Sequence, residues 1–264
     1  MTDQTNTHEF LPFLDALADA AAAAALPLFR SSLAVANKLE GGHFDPVTAA
    51  DQGAERAMRD LIAAHFPDHG ILGEEFANEA SDSPYLWVLD PIDGTRSFIS
   101  GLPIWGTLIG LEYLGRPVLG MMAQPFTAER FVGDSKSAWY RGPGGERPLK
   151  TRSCTSLSDA VLMTTSPRIF PERESALYDR VEKQVRLPRY GADCYAYAML
   201  ASGHVDLVIE AGLKPYDIVA LIPLIEGAGG IVTTWDGGPA ASGGNIVASG
   251  DARMHENVLR MLAG

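Results

Sequence analysis

The chain has 264 residues, 46% hydrophobic and 20% charged, with a formal net charge of −12. That length and balance suit one compact unit of two tightly joined layers, or two small domains, and argue against a disordered chain. So acidic a chain repels a phosphate backbone, which speaks against nucleic-acid binding, and any anionic ligand would need bound cations as a local source of positive charge.

Taken in chain order, residues 9–30 have the spacing of an amphipathic helix, with Phe10, Leu14, Leu17, Ala21, Ala24 and Leu28 recurring on one face. The alanine run 20–25 within it is flanked by Asp15, Asp19, Pro27 and Arg30, too short and weakly apolar a run to span a bilayer. No cationic segment leads into an apolar one at the N-terminus, so a soluble, cytoplasmic protein with no membrane partner is expected. A turn-rich stretch, 40–46, precedes a second helix over 49–66 that Pro67 stops. Strands are expected at 85–90, 104–113, 117–124 and 129–133, and a loop or domain junction over 134–152, rich in Gly, Pro and charge. The second half alternates. Strands are expected at 159–165, 186–190, 205–210, 230–235 and 245–250, and helices at 192–202, 217–228 and 251–263, an α/β layer pattern.

Two cysteines, Cys154 and Cys194, form no C-x-x-C pair, and the six histidines fall in no metal-binding spacing. A bound metal would therefore be held by oxygen ligands.

The most informative stretch is Asp90-Pro91-Ile92-Asp93-Gly94-Thr95. An apolar strand delivers Asp90, Pro91 stiffens the turn, and Asp93 can point into the same cavity. The Ile92 carbonyl leaves the ladder, Gly94 allows close backbone approach, and Thr95 supplies a hydroxyl where a short helix begins. Two carboxylates this close repel unless a cation or proton lies between them. The same residues also read as an Asp/Gly-rich turn. Other acids each have a structural reading too. Glu74, in Gly73-Glu74-Glu75, stands either at a strand end or in a solvated loop. Asp217 opens an apolar helix, where the helix dipole alone would favour it. Thr48-x-x-Asp51 has the capping-box pattern, and Glu55, one turn on, reads as a surface residue. Lys38 reads as an ordinary surface lysine.

Together, DPVTAAD (45–51), GEE (73–75), WVLDPIDGT (87–95) and Asp217 with GAGG (227–230) resemble the inositol monophosphatase family over nearly the whole chain. The resemblance implies the α/β, layered αβαβα sandwich of the inositol monophosphatase and fructose bisphosphatase type. An N-terminal α+β part, 1–150, would carry most metal ligands. A C-terminal α/β part, 151–264, would carry Asp217 and the substrate-selecting residues. It implies a cytoplasmic homodimer, two or three Mg²⁺ per subunit, and hydrolysis of a small-molecule phosphate monoester. Glu74, Asp90 and the Ile92 carbonyl match ligands of a first metal, and Asp90, Asp93 and Asp217 those of a second. Asp51 and Thr95 match the pair that orients the attacking water, with Glu74 assisting, and Gly94 and Thr95 the phosphate cradle.

The sequence departs from the inositol-type pattern at Arg96-Ser97, at Tyr216, and at Asp193, where inositol phosphatases usually carry Arg. These departures, with the run 190–230, resemble the family's histidinol-phosphate phosphatases, and imply hydrolysis of L-histidinol phosphate to L-histidinol in histidine biosynthesis. Asp193 and Glu210 are then expected to pair with the amine and imidazole, with Arg96 on the same pocket wall; Asp193 equally reads as an N-cap of the helix that follows. An inositol, nucleotide or sugar phosphatase is the rival enzyme. A non-catalytic metal- or phosphate-binding regulator is the rival of another class.

Overall fold

The computed structural model describes residues 7–32, 35–37 and 46–263. Lys38 and most of the expected turn 40–46 lie outside the described residues. Helix α1 (Leu11–Ala25) lies between short 3-10 turns and buries Leu14, Leu17 and Ala21 completely. Strands β1 (Val35–Asn37) and β2 (Pro46–Thr48) pair antiparallel, and α2 (Ala49–His65) follows directly.

Seven strands form the first sheet, in sequence order across it: β3 (Gly70–Gly73), β4 (Tyr85–Asp93), β5 (Gly106–Tyr113), β6 (Arg116–Gln124), β7 (Glu129–Gly133), β8 (Ala138–Gly142) and β9 (Gly145–Pro148). Only β3 and β4 run parallel; the other neighbours are antiparallel. A five-residue helix, α3 (Thr95–Ile99), leaves the end of β4.

The second sheet holds β10 (Val161–Thr164), β11 (Leu187–Tyr190), β12 (Leu207–Leu213), β13 (Ile231–Thr234) and β14 (Gly244–Ser249), in the order β11-β10-β12-β14-β13. Its helices are α4 (Glu172–Glu182), α5 (Asp193–Ala201), α6 (Pro215–Ile218), α7 (Leu221–Gly227) and α8 (Ala252–Leu262).

Three apolar clusters define the layers. Helices α1 and α2 cover one face of the first sheet through Leu17, Met58, Ile62, Trp87 and Ile109. Helices α5 and α7 fill the space between the sheets with Tyr197, Leu200, Leu221 and Leu224. Helices α4 and α8 cover the outer face of the second sheet with Tyr178, Val181, Met254 and Val258. The result is the expected α/β, αβαβα sandwich. Close seating of α7 on the first sheet requires glycine. A Cβ on Gly120 would lie 1.9 Å from the Ala220 carbonyl oxygen, and one on Gly133 2.4 Å from the Leu224 Cα.

Several expected elements differ. The segment 134–152 contains the hairpin β8–β9, whose exposed, charged outer strand resembles a loop in composition. The single helix expected over 217–228 is two, because Pro223 has no N–H to bond the Val219 carbonyl. Helix α4 was not expected, since its apolar face is narrow, with Leu177, Tyr178 and Val181 the buried residues. The longer window Leu11–Leu28, of which the alanine run is a part, has the length and apolarity of a membrane span. Here one face of α1 packs into the core, and Asp15 and Asp19 pair with Arg130.

Candidate active site

Two carboxylates of the site come from the ends of a parallel strand pair. Strand β3 ends with Gly73 opposite Leu89 of β4, so the next residues, Glu74 and Asp90, emerge side by side. Beyond that point β4 has no partner on the β3 side, and Pro91 therefore costs no ladder hydrogen bond. Asp90 and Asp93 are an odd number of residues apart and would face opposite sides of a regular strand. A register shift corrects this: Asp90 pairs with Leu108 and Asp93 with Gly106, so the strand bulges across Pro91-Ile92.

The turn is held from within. Asp90 Oδ1 accepts the Ile92 N–H at 3.0 Å, and Thr107 Oγ1 donates to the Pro91 carbonyl at 2.9 Å. Gly94 has φ of +87° and precedes α3; a Cβ there would also lie 2.8 Å from Asp193 Oδ2. The Thr95 hydroxyl sits 3.1 Å from the Ile92 carbonyl oxygen and 3.3 Å from Asp51 Oδ1. Asp51 is fully buried and also completes the capping box of α2, its Oδ2 accepting the Thr48 N–H at 2.8 Å. The capping-box reading of Asp51 holds, and the other oxygen of the same carboxylate meets Thr95.

Asp217 arrives from the other sheet at the start of α6, where its Oδ2 accepts the Lys214 N–H at 2.7 Å. One oxygen each of Asp90, Asp93 and Asp217 lies within 4.8 Å of the others. Glu74 lines the same cavity and interacts with Asp90. Burial, then the charges of Glu74, Asp93 and Asp217, push the Asp90 carboxyl well above the ordinary range. Burial, then Asp193 and Asp217, do the same to Asp93. Burial pushes Asp217 up to about 7, against the Lys214 N–H. Hard oxygen donors, crowded and costly to ionise together, suit a divalent cation such as Mg²⁺ or Ca²⁺.

The remaining wall is built on the carboxyl ends of β10, β11 and β12, which run parallel. Asp193 is the first residue of α5, but it does not cap that helix: the N-cap is Ala192, with no side-chain cap bond. With φ of +44°, Asp193 instead turns its carboxylate to Ser97 Oγ (3.0 Å) and Thr165 Oγ1 (3.2 Å). The next N–H, of Cys194, donates to Asp93 Oδ2, tying this wall to the acidic cluster. Glu210 of β12 accepts the Thr165 N–H at 2.6 Å. Burial raises Asp193, opposed by Ser97, Thr165 and the nearby Arg96 charge. Burial pushes Glu210 up to about 8, partly offset by the Thr165 N–H.

Glu74, Asp90, Asp93, Asp217, Asp193 and Glu210 line one cavity of about 330 Å³ together with Thr95, Thr165 and Arg96, while Asp51 and Ser97 stand behind its wall. The sequence reading notes Ser97 only as a departure from the inositol-type pattern and does not single out Thr165; the two hydroxyl residues are far apart in the chain, and only the fold brings them to Asp193. Glu55 is not the expected surface residue; it is completely buried, with its carboxylate against the backbone after Glu74.

Comparisons with known proteins agree with this architecture. The profile of the inositol monophosphatase family matches residues 6–263. The bifunctional phosphatase IMPL2, chloroplastic, of Arabidopsis thaliana is 45% identical over 270 residues, covering 98% of this chain and 76% of that protein. A histidinol-phosphatase of Chlorobaculum parvum is 34% identical over 237 residues, 87% of each chain. The solved inositol monophosphatase of Zymomonas mobilis superposes with a TM-score of 0.88 at 40% identity, covering 99% of this chain and 100% of that one. The chain described here therefore belongs to the inositol monophosphatase family and is a metal-dependent phosphatase.

Proposed function

We propose that this chain hydrolyses L-histidinol phosphate to L-histidinol and inorganic phosphate. The observation that carries the reading is the second pair of acids, Asp193 and Glu210, set into the same cavity as the Asp90–Asp93–Asp217 cluster. Among the described residues neither forms an ion pair within 4.0 Å. Buried acids with raised pKa values favour a ligand that brings its own cations. Histidinol phosphate has an amine and an imidazole; inositol phosphate has only hydroxyls. The name of the C. parvum relative supports the same substrate.

In this reading Glu74, Asp90, the Ile92 carbonyl, Asp93 and Asp217 hold Mg²⁺, two or three per subunit. Bound Mg²⁺ supplies charge neutralisation and Lewis acidity to a reaction that is extremely slow unaided. The backbone at Gly94 and Thr95 receives the phosphate oxygens. The Thr95 hydroxyl, aimed at Asp51, orients the attacking water, and Asp51 with Glu74 takes up its proton. Arg96 balances charge beside Asp193. The reading also takes 1–150 and 151–264 as the two functional parts, a homodimer as the assembly and the cytoplasm as the location. Analytical ultracentrifugation and fractionation test the last two.

A second reading, inositol-1-phosphate as substrate, is favoured by the name of the Z. mobilis neighbour. Phosphate release from L-histidinol phosphate and from myo-inositol 1-phosphate, each with Mg²⁺ and with EDTA, separates them. The proposal expects fast, Mg²⁺-dependent release from the histidinol ester. Preference for the inositol ester would overturn the substrate, and release unaffected by EDTA would overturn the mechanism.

A further inference from the structure

Glu55 lies on α2 one turn beyond Asp51, so the two carboxylates leave the same face of the helix. Asp51 reaches Thr95; Glu55 reaches the backbone that follows Glu74. Its Oε2 accepts the Glu75 N–H at 2.7 Å, and its Oε1 accepts the Phe76 N–H at 3.3 Å. The third partner is Arg59 Nε, 2.8 Å from Oε1. Arg59 also donates to Glu79 at 2.8 Å and to the Phe76 carbonyl at 3.4 Å, so it grips the same segment from the other side. Every partner of Glu55 is a donor, and the side chain is wholly buried. A full carboxylate is the group that satisfies all three.

The strand before this segment is shaped to admit it. A Cβ on Gly73 would lie 2.0 Å from Glu55 Oε1 and 2.5 Å from its Cδ. Glycine at 73 is what lets the carboxylate press against the strand end from which Glu74 departs.

We propose that Glu55 is a positioning residue that fixes the Glu74 arm at the metal cluster by clamping the N–H groups of Glu75 and Phe76. The proposal rests on the reading of Glu74 as a metal ligand. One rigid helix face then sets two parts of the reaction centre, the Asp51–Thr95 contact and the Glu74 arm. Glu55 touches neither substrate nor cation; it acts through the backbone.

The test is direct Mn²⁺ binding to the purified full chain, read from the EPR signal of free Mn²⁺, alongside melting temperatures. Glu55→Gln places an amide NH₂ against donors. Gly73→Ala pushes the carboxylate away without altering it. Both are expected to raise the Mn²⁺ Kd about 10–100-fold, the usual effect of removing an outer partner of a metal ligand. Met58→Ala, in the buried core on the same helix, is expected to lower the melting temperature and leave the Kd unchanged. Wild-type affinity in both Glu55→Gln and Gly73→Ala overturns the proposal, as does equal weakening in Met58→Ala. Glu74→Gln separates the levels. If it too leaves the Kd unchanged, the ligand reading falls and the proposal with it. If it weakens binding while the two clamp variants do not, the proposal alone falls.

Discussion

Thr95 and Asp51 are 44 residues apart in the chain, yet the threonine hydroxyl lies 3.3 Å from Asp51 Oδ1. The other oxygen of the same carboxylate caps α2 through the Thr48 N–H. In the proposed function the hydroxyl, donating to the carboxylate, keeps lone pairs free to orient the attacking water, and the carboxylate takes up its proton. Asp51→Asn and Thr95→Ala are each expected to lower turnover by roughly 10²–10⁴-fold. The weakened cap in Asp51→Asn should cost about 1 kcal/mol or less. Because the pair acts as one unit, the double variant should be little worse than the poorer single one. Steady-state rates of the three variants check this; multiplicative losses would mean independent roles.

Metal removal should leave a distinct stability signature. A cation bound only to the folded chain at a hundredfold excess over its Kd contributes about 2.7 kcal/mol, which for a chain this size raises Tm by roughly 5–10 °C. In the metal-free protein the carboxylates of Asp90, Asp93 and Asp217 oppose one another. Asp217→Asn is therefore expected to raise the Tm of the EDTA-treated protein at pH 8 and abolish the rise with Mg²⁺. Thermal melts with and without Mg²⁺ measure both effects. A variant less stable without metal and still stabilised by Mg²⁺ would contradict the cluster as a cation site.

Glu210 makes a pH prediction outside the metal cluster. Its carboxyl is pushed up to about 8 in the folded chain, by burial first, while the unfolded chain has an ordinary glutamate. Between these pKa values the folded state holds a proton that the unfolded state releases. Stability from this group is thus fully present below about pH 4, and is lost as pH rises through 8. Glu210→Gln should flatten that fall in melts from pH 5 to 9. A cationic substrate favours the ionised form, so its affinity should increase from pH 6 to 8 in wild type and lose that rise in the variant. An unchanged pH profile in both would remove Glu210 from the account.

The layered fold and the Asp90–Asp93 part of the cluster were legible in sequence for a physical reason, whereas Glu74 and Asp217 joined it only through the family resemblance. D-P-I-D-G-T compresses strand end, turn and helix start into consecutive residues, and α2, β4, β5, β6 and β7 have strong periodicity or β-rich runs. What was not legible depends on distant chain. The bulge that turns Asp90 and Asp93 to one side is defined by register with 106–108. Glu55 is of a residue type that usually faces solvent, yet it lies on the buried face of α2 and its carboxylate is covered by the backbone at 75–76. Asp193 suits an N-cap by residue type, yet its φ of +44° and contacts to Ser97 and Thr165 take its carboxylate to the cavity. Composition misled at 134–152, where Gly, Pro and charge belong to an exposed edge hairpin rather than a loop.

The central claim is that one cavity joins a metal-binding acidic cluster to an acidic wall that selects a cationic phosphate ester. The most direct measurement is the ratio of kcat/KM for L-histidinol phosphate over myo-inositol 1-phosphate, in wild type and in Asp193→Asn, both saturated with Mg²⁺. Loss of a charge-assisted contact worth about 1.5–3 kcal/mol predicts that the ratio favours histidinol phosphate in wild type and falls roughly 10–100-fold in the variant. A ratio that Asp193→Asn leaves unchanged, or that favours the inositol ester in wild type, would contradict the account.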